Sequence, residues 1–391
     1  MSDSVFKTDG NGTITGLVDA NYTGELVIPE YVAGERITAI GDEAFAGCWK
    51  LTSVTIPDGV TSIGLFAFGM CDDLASVVIP DSVTSIGISA FSGCLSLVNV
   101  VIPDGVTSIG QAMFENCTAL TSVVIPDGVT SIGKRAFYEC VALTNITIGK
   151  DVSSIGERAF YKCSSLTSIV IPNAVTSIDG YAFNNCRSLV DVTISNGVNS
   201  IGLSAFGGTP WLAARQQENP LVVVNNIIID ATTCSGAVVI PNGVTAIRGD
   251  FIFNEKITSV AIPDSVVSIA AMSFSDCYSL TSVVIPNSVN SIGEQAFSTC
   301  HRLTSVYVDD PDNLSAAVSS YNWAETLSSG ITFKKAIKPV KISSLVINKL
   351  TLDQYRTAKS EGIVADGEVY VITDLDEVIA SLEAAIQALS N

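Results

Sequence analysis

The chain is poor in the residues from which catalytic and metal sites are most often built. It has one histidine, His301, in 391 residues, and no Cys-x-x-Cys pair. Zinc and other transition metals need several such ligands at close spacing, so no metal site is expected and no cofactor is implied. Cations are scarce as well: 20 Lys and Arg stand against 39 Asp and Glu, for a net charge of −19. Binding a nucleic-acid backbone requires clustered cations, which sets nucleic acid aside as a general partner. No apolar run approaches the roughly 18 residues that would span a bilayer, so no membrane insertion is expected. The opening MSDSVFKTDGNG lacks the basic start and apolar core of a secretory signal. Two routes remain open: a mature form without its leader, or synthesis in the cytoplasm followed by another way out. Aromatic residues make up only 7%, so the Trp and Tyr anchors of tight interfaces are confined to few places.

What the chain does have is a period of 23 residues. Ile-Gly recurs at Ile40, Ile63, Ile86, Ile109, Ile132 and Ile155, and the same Ile continues at Ile178, Ile201, Ile247, Ile269 and Ile292. Fixed periods of this length indicate a solenoid, in which each repeat buries its apolar side against its neighbours. One coil reads Ile-Gly-x-x-Ala-Phe-x-x-Cys-x-x-Leu-x-x-Val-x-Ile-Pro-x-x-Val-x-x. The Leu-x-x-Val-x-Ile stretch alternates and is β-branched, as a short strand should be. Pro57, Pro80, Pro103, Pro126 and Pro172 end that strand. The Phe column (Phe45, Phe68, Phe91, Phe114, Phe137, Phe160, Phe183, Phe206) supplies the bulkiest filling. Gly after Ile is expected to allow a backbone conformation that a Cβ disfavours.

Ten cysteines raise the question of disulfides, and their spacing answers it. Cys48, Cys71, Cys94, Cys117, Cys140, Cys163 and Cys186 fall one period apart, and Cys277 and Cys300 continue the column. Equivalent residues of stacked coils lie about 4.8 Å apart with parallel side chains, whereas a disulfide needs Cβ atoms about 3.5–4.5 Å apart and facing each other. The column reads as buried free thiols acting as small hydrophobes.

Together these residues resemble the BspA-like, Treponema-type class of leucine-rich repeats. The likeness covers about residues 36–310 and is specific, because Ala-Phe-x-x-Cys recurs in phase with Leu-x-x-Val-x-Ile-Pro. Gly12–Gly16 followed by Glu25–Pro29 resembles that family's N-terminal cap. The resemblance implies a curved solenoid used for adhesion or protein recognition, without enzyme activity. The expected fold class is a mainly β, α/β-type repeat solenoid: right-handed, of leucine-rich-repeat kind, with a parallel sheet and a small α+β C-terminal module. Residues 1–35 would form the cap, 36–310 the solenoid, 311–340 a second cap and 341–391 an attachment or oligomerisation module.

The pattern breaks at 207–246. Gly208–Leu212 replaces the Cys turn, and Leu221–Asp230 reads as a hairpin about Asn225-Asn226. From Ile201 to Ile247 is 46 residues, two periods, so phase is kept. It reads as a degenerate coil carrying a flap, with a binding flap as the alternative. The coil after Ile247 is one residue short, with Asn254 in the Cys column. Asp9–Thr13 faintly resembles a calcium loop but lacks the remaining ligands, and reads as a turn.

Binding residues are sought where the pattern is indifferent. The outward strand columns (Ser53, Ser76, Asn99, Ser122, Asn145, Ser168, Asp191; Thr55, Val78, Val101, Val124, Thr147, Val170, Thr193) are small and neutral, which suits a bare scaffold surface or weak extended contacts. Beside Phe and Cys, three adjacent coils carry Lys134, Arg135 and Tyr138; Arg158, Tyr161 and Lys162; and Tyr181 and Arg187. Stacking would bring these onto one edge as a basic, aromatic patch suited to an anionic glycan or an acidic protein surface. The competing reading is solvated turn residues, partly neutralised by Glu139 and Glu157.

After Tyr307 the repeat stops. Asp312–Trp323 has a cap residue and apolar Leu314, Val318 and Tyr321, which fits a helix, and Ile331–Phe333 fits a returning strand. Leu350-Thr-Leu-Asp-Gln-Tyr355 followed by Glu368–Asp374 resembles a small module of bacteriophage and prophage tail proteins. Leu375, Val378, Leu382, Ala385 and Leu389 form an a/d seam that favours self-association, here as a homotrimer. An amphipathic helix packed on its own module fits that spacing nearly as well. The sequence therefore points to a non-enzymatic receptor-binding component of a virion tail, with other tail proteins and a cell-surface protein or glycan as partners. The alternative is a bacterial cell-surface adhesin, extracellular, binding host proteins or glycans.

Overall fold

The computed structural model describes residues 5–19, 21–248 and 251–308, and beyond them four strands at Thr332–Lys335, Pro339–Ile342, Leu345–Leu350 and Val369–Ile372. The chain divides into two units, Met1–Glu218 and Asn219–Asn391. The described residues of each form a mainly β parallel solenoid.

In the first unit every coil presents three hydrogen-bonded faces. The long-strand face comprises Gly24–Val27, Leu51–Thr55, Ser76–Val78, Asn99–Val100, Ser122–Val124 and Asn145–Thr147 in one parallel sheet, with Ser168–Ile171 and Asp191–Ile194 as a further pair. Partners lie one period apart, as in Ser76↔Asn99 and Ser122↔Asn145. The Ser-Ile face stacks dipeptides from Ser62–Ile63 to Ser200–Ile201 in the same register. It begins on Thr13–Ile14, which pairs with Ala39–Ile40.

The third face, through Phe and Cys, carries no strand and is nevertheless laddered. Arg135, Phe137 and Glu139 donate their amides to Glu157, Ala159 and Tyr161 of the next coil at 2.9, 2.7 and 2.8 Å. The amides between them turn back inside the coil, Tyr138 to Arg135 and Cys140 to Phe137. This alternation requires left-handed backbone twice per coil. The third residue after Ile is left-handed in Glu43, Phe66, Ser89, Ala112, Arg135, Arg158, Tyr181 and Ser204, and the seventh in Met70, Asn116, Glu139, Lys162 and Asn185. Such a conformation costs a non-glycine residue about 1–2 kcal/mol. Three inter-coil hydrogen bonds, each worth about 1 kcal/mol net, offset a cost of that size for two such residues.

Inside, the Phe rings stack from Phe45 to Phe206 with centroids 5.0–5.6 Å apart. All ten cysteines are buried and free. They do more than fill space, because each thiol from Cys71 to Cys186 donates to the Phe carbonyl of the coil before it, as Cys140 Sγ does to Phe114 O at 3.1 Å. The Gly after Ile has a different cause from the one expected. Its φ is not left-handed in any coil. A Cβ on Gly87, Gly133 or Gly156 would instead stand 2.5–2.8 Å from backbone of the preceding coil, a separation that van der Waals contact forbids.

The unit ends in an element that the sequence reading passed over, a helix at Pro210–Glu218. Thr209 caps it, its Oγ1 accepting the amide of Leu212 at 3.2 Å, and Pro210 occupies the first turn. Trp211 is buried and lies against Phe206 with centroids 4.9 Å apart, closing the aromatic stack.

The second unit opens with the expected hairpin, Val222–Val224 against Ile227–Asp230, turning through left-handed Asn225 and Asn226. Gly236–Val239, Ile257–Ala261, Ser282–Ile285, Ser305–Val308 and Thr332–Lys335 form its parallel sheet. The returning strand near Ile331 is thus present. Asn254 takes over from cysteine in the short coil, donating from Nδ2 to Ala231 O at 2.8 Å and Cys234 O at 3.0 Å. Pro339–Ile342 runs antiparallel to Leu345–Leu350, which pairs in parallel with Val369–Ile372. The helix expected at 312–323 and the seam at 375–389 lie outside the described residues.

Candidate functional site

The edge residues named from sequence sit on the Phe–Cys face of the first unit. The left-handed backbone at the third and seventh positions turns their side chains outward, while Ala, Phe and Cys between them turn in. Arg135 and Arg158 occupy the third position, Tyr138 and Tyr161 the sixth, and Lys162 the seventh. Parallel stacking brings Tyr138 and Tyr161 face to face, centroids 5.0 Å apart and planes at 11°. The Arg135 guanidinium lies 4.1 Å from the Tyr138 ring centre, Lys162 Nζ 5.4 Å from that of Tyr161, and Arg158 5.1 Å from that of Tyr181. Seven of the eight residues therefore form one ladder. Arg187 stands apart, exposed, two positions beyond the ladder on its own coil.

The patch is less basic than the sequence suggests. Lys134 pairs with Glu157 at 2.7 Å, Arg158 with the same Glu157 at 2.7 Å, Lys162 with Glu139 at 2.8 Å, and Arg135 with Glu115. Four cations against three carboxylates leave a single net positive charge. Glu139 and Glu157 were foreseen as partners and Glu115 was not, because its partner lies twenty residues away on the next coil.

The carboxylates differ in character. The hydrogen bond from Lys162 holds Glu139 below the usual carboxylate range, and that from Lys134 does the same for Glu157. Burial pushes Glu115 above that range despite the adjoining Arg135. Tyr138 is pushed up by burial and by Glu139. The result is a preset lattice of rings, guanidinium groups and carboxylates, half-buried and fixed at the period of the coils.

Elsewhere the chemistry is quiet. Burial pushes the thiols of the first unit up, Cys186 to about 12, and Cys234 of the second unit to about 11, so they stay protonated near neutrality. A shallow cleft of about 440 Å³ is lined by Asp104, Val124, Pro126, Asp127, Thr147 and Gly149. Asp127 there is held 3.0 Å from Lys150. Asp9 accepts the amides of Asn11 and Thr13 and closes a turn. Among the described residues no helix is long and apolar enough to cross a membrane.

Comparison with known proteins adds to this geometry. The family described as "BspA type Leucine rich repeat region (6 copies)" matches residues 38–165, 114–217 and 231–346. A leucine-rich repeat protein from Bacteroides ovatus has a similar structure, with TM-score 0.53 and 23% identity, over 94% of this chain and 97% of that one. A leucine rich cell surface protein from Faecalibacterium prausnitzii aligns over 80% of this chain and 94% of its own, with 26% identity and TM-score 0.41. No curated protein sequence matches the chain.

Proposed function

The chain belongs to the BspA type leucine-rich repeat family, and from that premise we propose that it is a non-enzymatic adhesion protein acting at the cell exterior. Its ligand is a receptor protein or glycan, bound on the outward columns of the Phe–Cys face. The observation that carries this reading is the ladder from Lys134 to Tyr181, in which two stacked tyrosines are held by neighbouring cations and carboxylates. Polar and aromatic groups fixed before contact lose little freedom on binding. Several weak contacts repeated along the coils then combine. The other reading, a component of a virion tail, takes the same adhesive-type solenoid as its recognition arm and adds residues 341–391 as the attachment module. Family membership supports the adhesin over it.

The test is binding of the full chain to arrays of glycans and immobilised host surface proteins, with Tyr161→Ser and Arg158→Glu as variants. Binding should fall at least tenfold while thermal unfolding stays within a few degrees. Undiminished binding by both folded variants would remove the ladder from the site. Homotrimerisation through Leu375–Leu389 is a separate proposal. Light scattering should give three times the 40.9 kDa chain mass, and a monomer overturns it.

A further inference from the structure

Of the columns that hold rings and charges between Glu115 and Tyr181, the third carries Glu43, Phe66 and Ser89 in the first three coils of the same face, while the sixth and seventh carry mostly small residues. The sixth position carries Ala46, Gly69 and Ser92, and the seventh Gly47, Met70 and Gly93. A Cβ on Gly47 would meet nothing within 4 Å. Left-handed φ alone does not explain these glycines, since Met, Asn, Glu and Lys take the same conformation at the seventh position of other coils. Met70 thus stands between two glycines, with open space on the Gly47 side and its own Cγ 3.5 Å from where a Gly93 Cβ would be, while the Phe66 ring covers Gly69. Around this notch Trp49 is 50% exposed, Leu65 42%, Met70 59%, Ile88 46% and Leu95 43%. Backbone bonds hold them on adjacent coils: Phe66 donates to Ile88 O at 2.9 Å, and Asp73 to Trp49 O at 3.0 Å.

The rim is acidic. Asp42 and Glu43 flank the notch on one side, Asp72 and Asp73 on the other. None of the four is in an ion pair among the described residues, whereas every carboxylate of the neighbouring ladder is. The nearby cation, Lys50, is drawn over the Trp49 ring at 4.3 Å. A cluster of exposed large apolar side chains on an otherwise polar surface marks an interaction site, and unpaired charge around it selects the sign of the partner.

We propose that this notch docks a cationic amphipathic segment of a partner protein. Apolar side chains of that segment enter beside Met70, and its Lys or Arg residues meet Asp42, Glu43, Asp72 and Asp73. The same carboxylates repel an anionic lipid surface, so a membrane is not the occupant. The site is separate from the Tyr138–Tyr161 ladder, and its fate does not depend on the adhesin reading.

The experiment titrates the full chain into three labelled synthetic peptides that differ only in pattern: a Lys/Leu amphipathic sequence, a Lys/Ser sequence of equal charge and a Glu/Leu amphipathic sequence. The Lys/Leu peptide should bind at least tenfold more tightly than either control and shift Trp49 emission to the blue, a shift absent in Trp49→Phe. Met70→Ser and, independently, Asp72→Lys with Asp73→Lys should each weaken it at least fivefold with unchanged unfolding. Equal binding of the Lys/Ser peptide reduces the effect to net charge and overturns the proposal. Equal binding of the Glu/Leu peptide reduces it to unselective apolar contact and overturns it as well. So does tighter binding to anionic vesicles than to the Lys/Leu peptide, or binding that survives both sets of folded variants.

Discussion

A residue in the left-handed region normally signals glycine, yet thirteen non-glycine residues of the first unit's coils adopt it at two fixed positions. The side chains at those positions, Ala112 excepted, are thereby turned away from the core and can be chosen for the surface. Arg135, Arg158 and Lys162 use that freedom to reach tyrosines and carboxylates; Met70 uses it to stand exposed. The ion pairs make a pH prediction. Glu139 has a depressed folded value, so its contribution is present above its unfolded value of about 4.3 and is lost as pH falls through the folded one. Glu115 has a raised value and the opposite sign, its folded form gaining as pH falls through that value. Wild type should therefore melt above Glu139→Gln at pH 7, with the difference shrinking as pH falls below the usual carboxylate range. Glu115→Gln should melt level with or above wild type at pH 7, with the difference vanishing on acidification. Thermal melts from pH 7 into the acid range decide both.

At the scale of elements, the repeating columns were legible because each is repeated at one chemistry per position: Phe, Cys, Leu and Ile can occupy a periodic site only by facing inward. The hairpin at 221–230 was legible from Asn225-Asn226. The helix at Pro210–Glu218 was missed although its signals were present, Thr209 at the cap, Pro210 after it and Ala213-Ala214 within. The period drew attention to what was lost there rather than to what replaced it. The reason given for Gly after Ile was wrong, since closeness between coils is a tertiary fact that no local propensity reveals. Glu115 and the notch beside Met70 were invisible for related reasons, one because its partner lies on another coil, the other because small residues at the sixth and seventh positions read as turns. The helix also yields a test. Trp211 is 7% exposed and ends the Phe stack, so Trp211→Ala should cost about 3–5 kcal/mol in denaturant unfolding. A loss below 1 kcal/mol would mean that the helix is not holding the end of the stack.

At the scale of the whole molecule, each unit is a sum of like layers, and contacts run between neighbours. Every inter-coil bond between Ile109 and Ile178 joins residues one period apart or offset by a constant from it. Excising residues 133–155 places Gly156 after Ile132 and preserves every donor–acceptor match on the three faces. That variant should fold, with circular dichroism per residue unchanged. Excising residues 133–150 shifts phase, turns Phe columns outward and should give an insoluble chain. Equal solubility of the two would contradict the layered account.

The ladder on the Phe–Cys face runs its donors toward the following coil, while Thr130 and Gly133 on the opposite side donate toward the preceding one. Each coil is consequently matched above and below to any other coil of the same kind, whatever its surface residues. A gene built this way tolerates recombination between misaligned copies, provided that whole repeats are gained or lost. Reach and surface pattern then become heritable variables that change in single steps, and a lineage under pressure to alter what it grips has no need to redesign the grip.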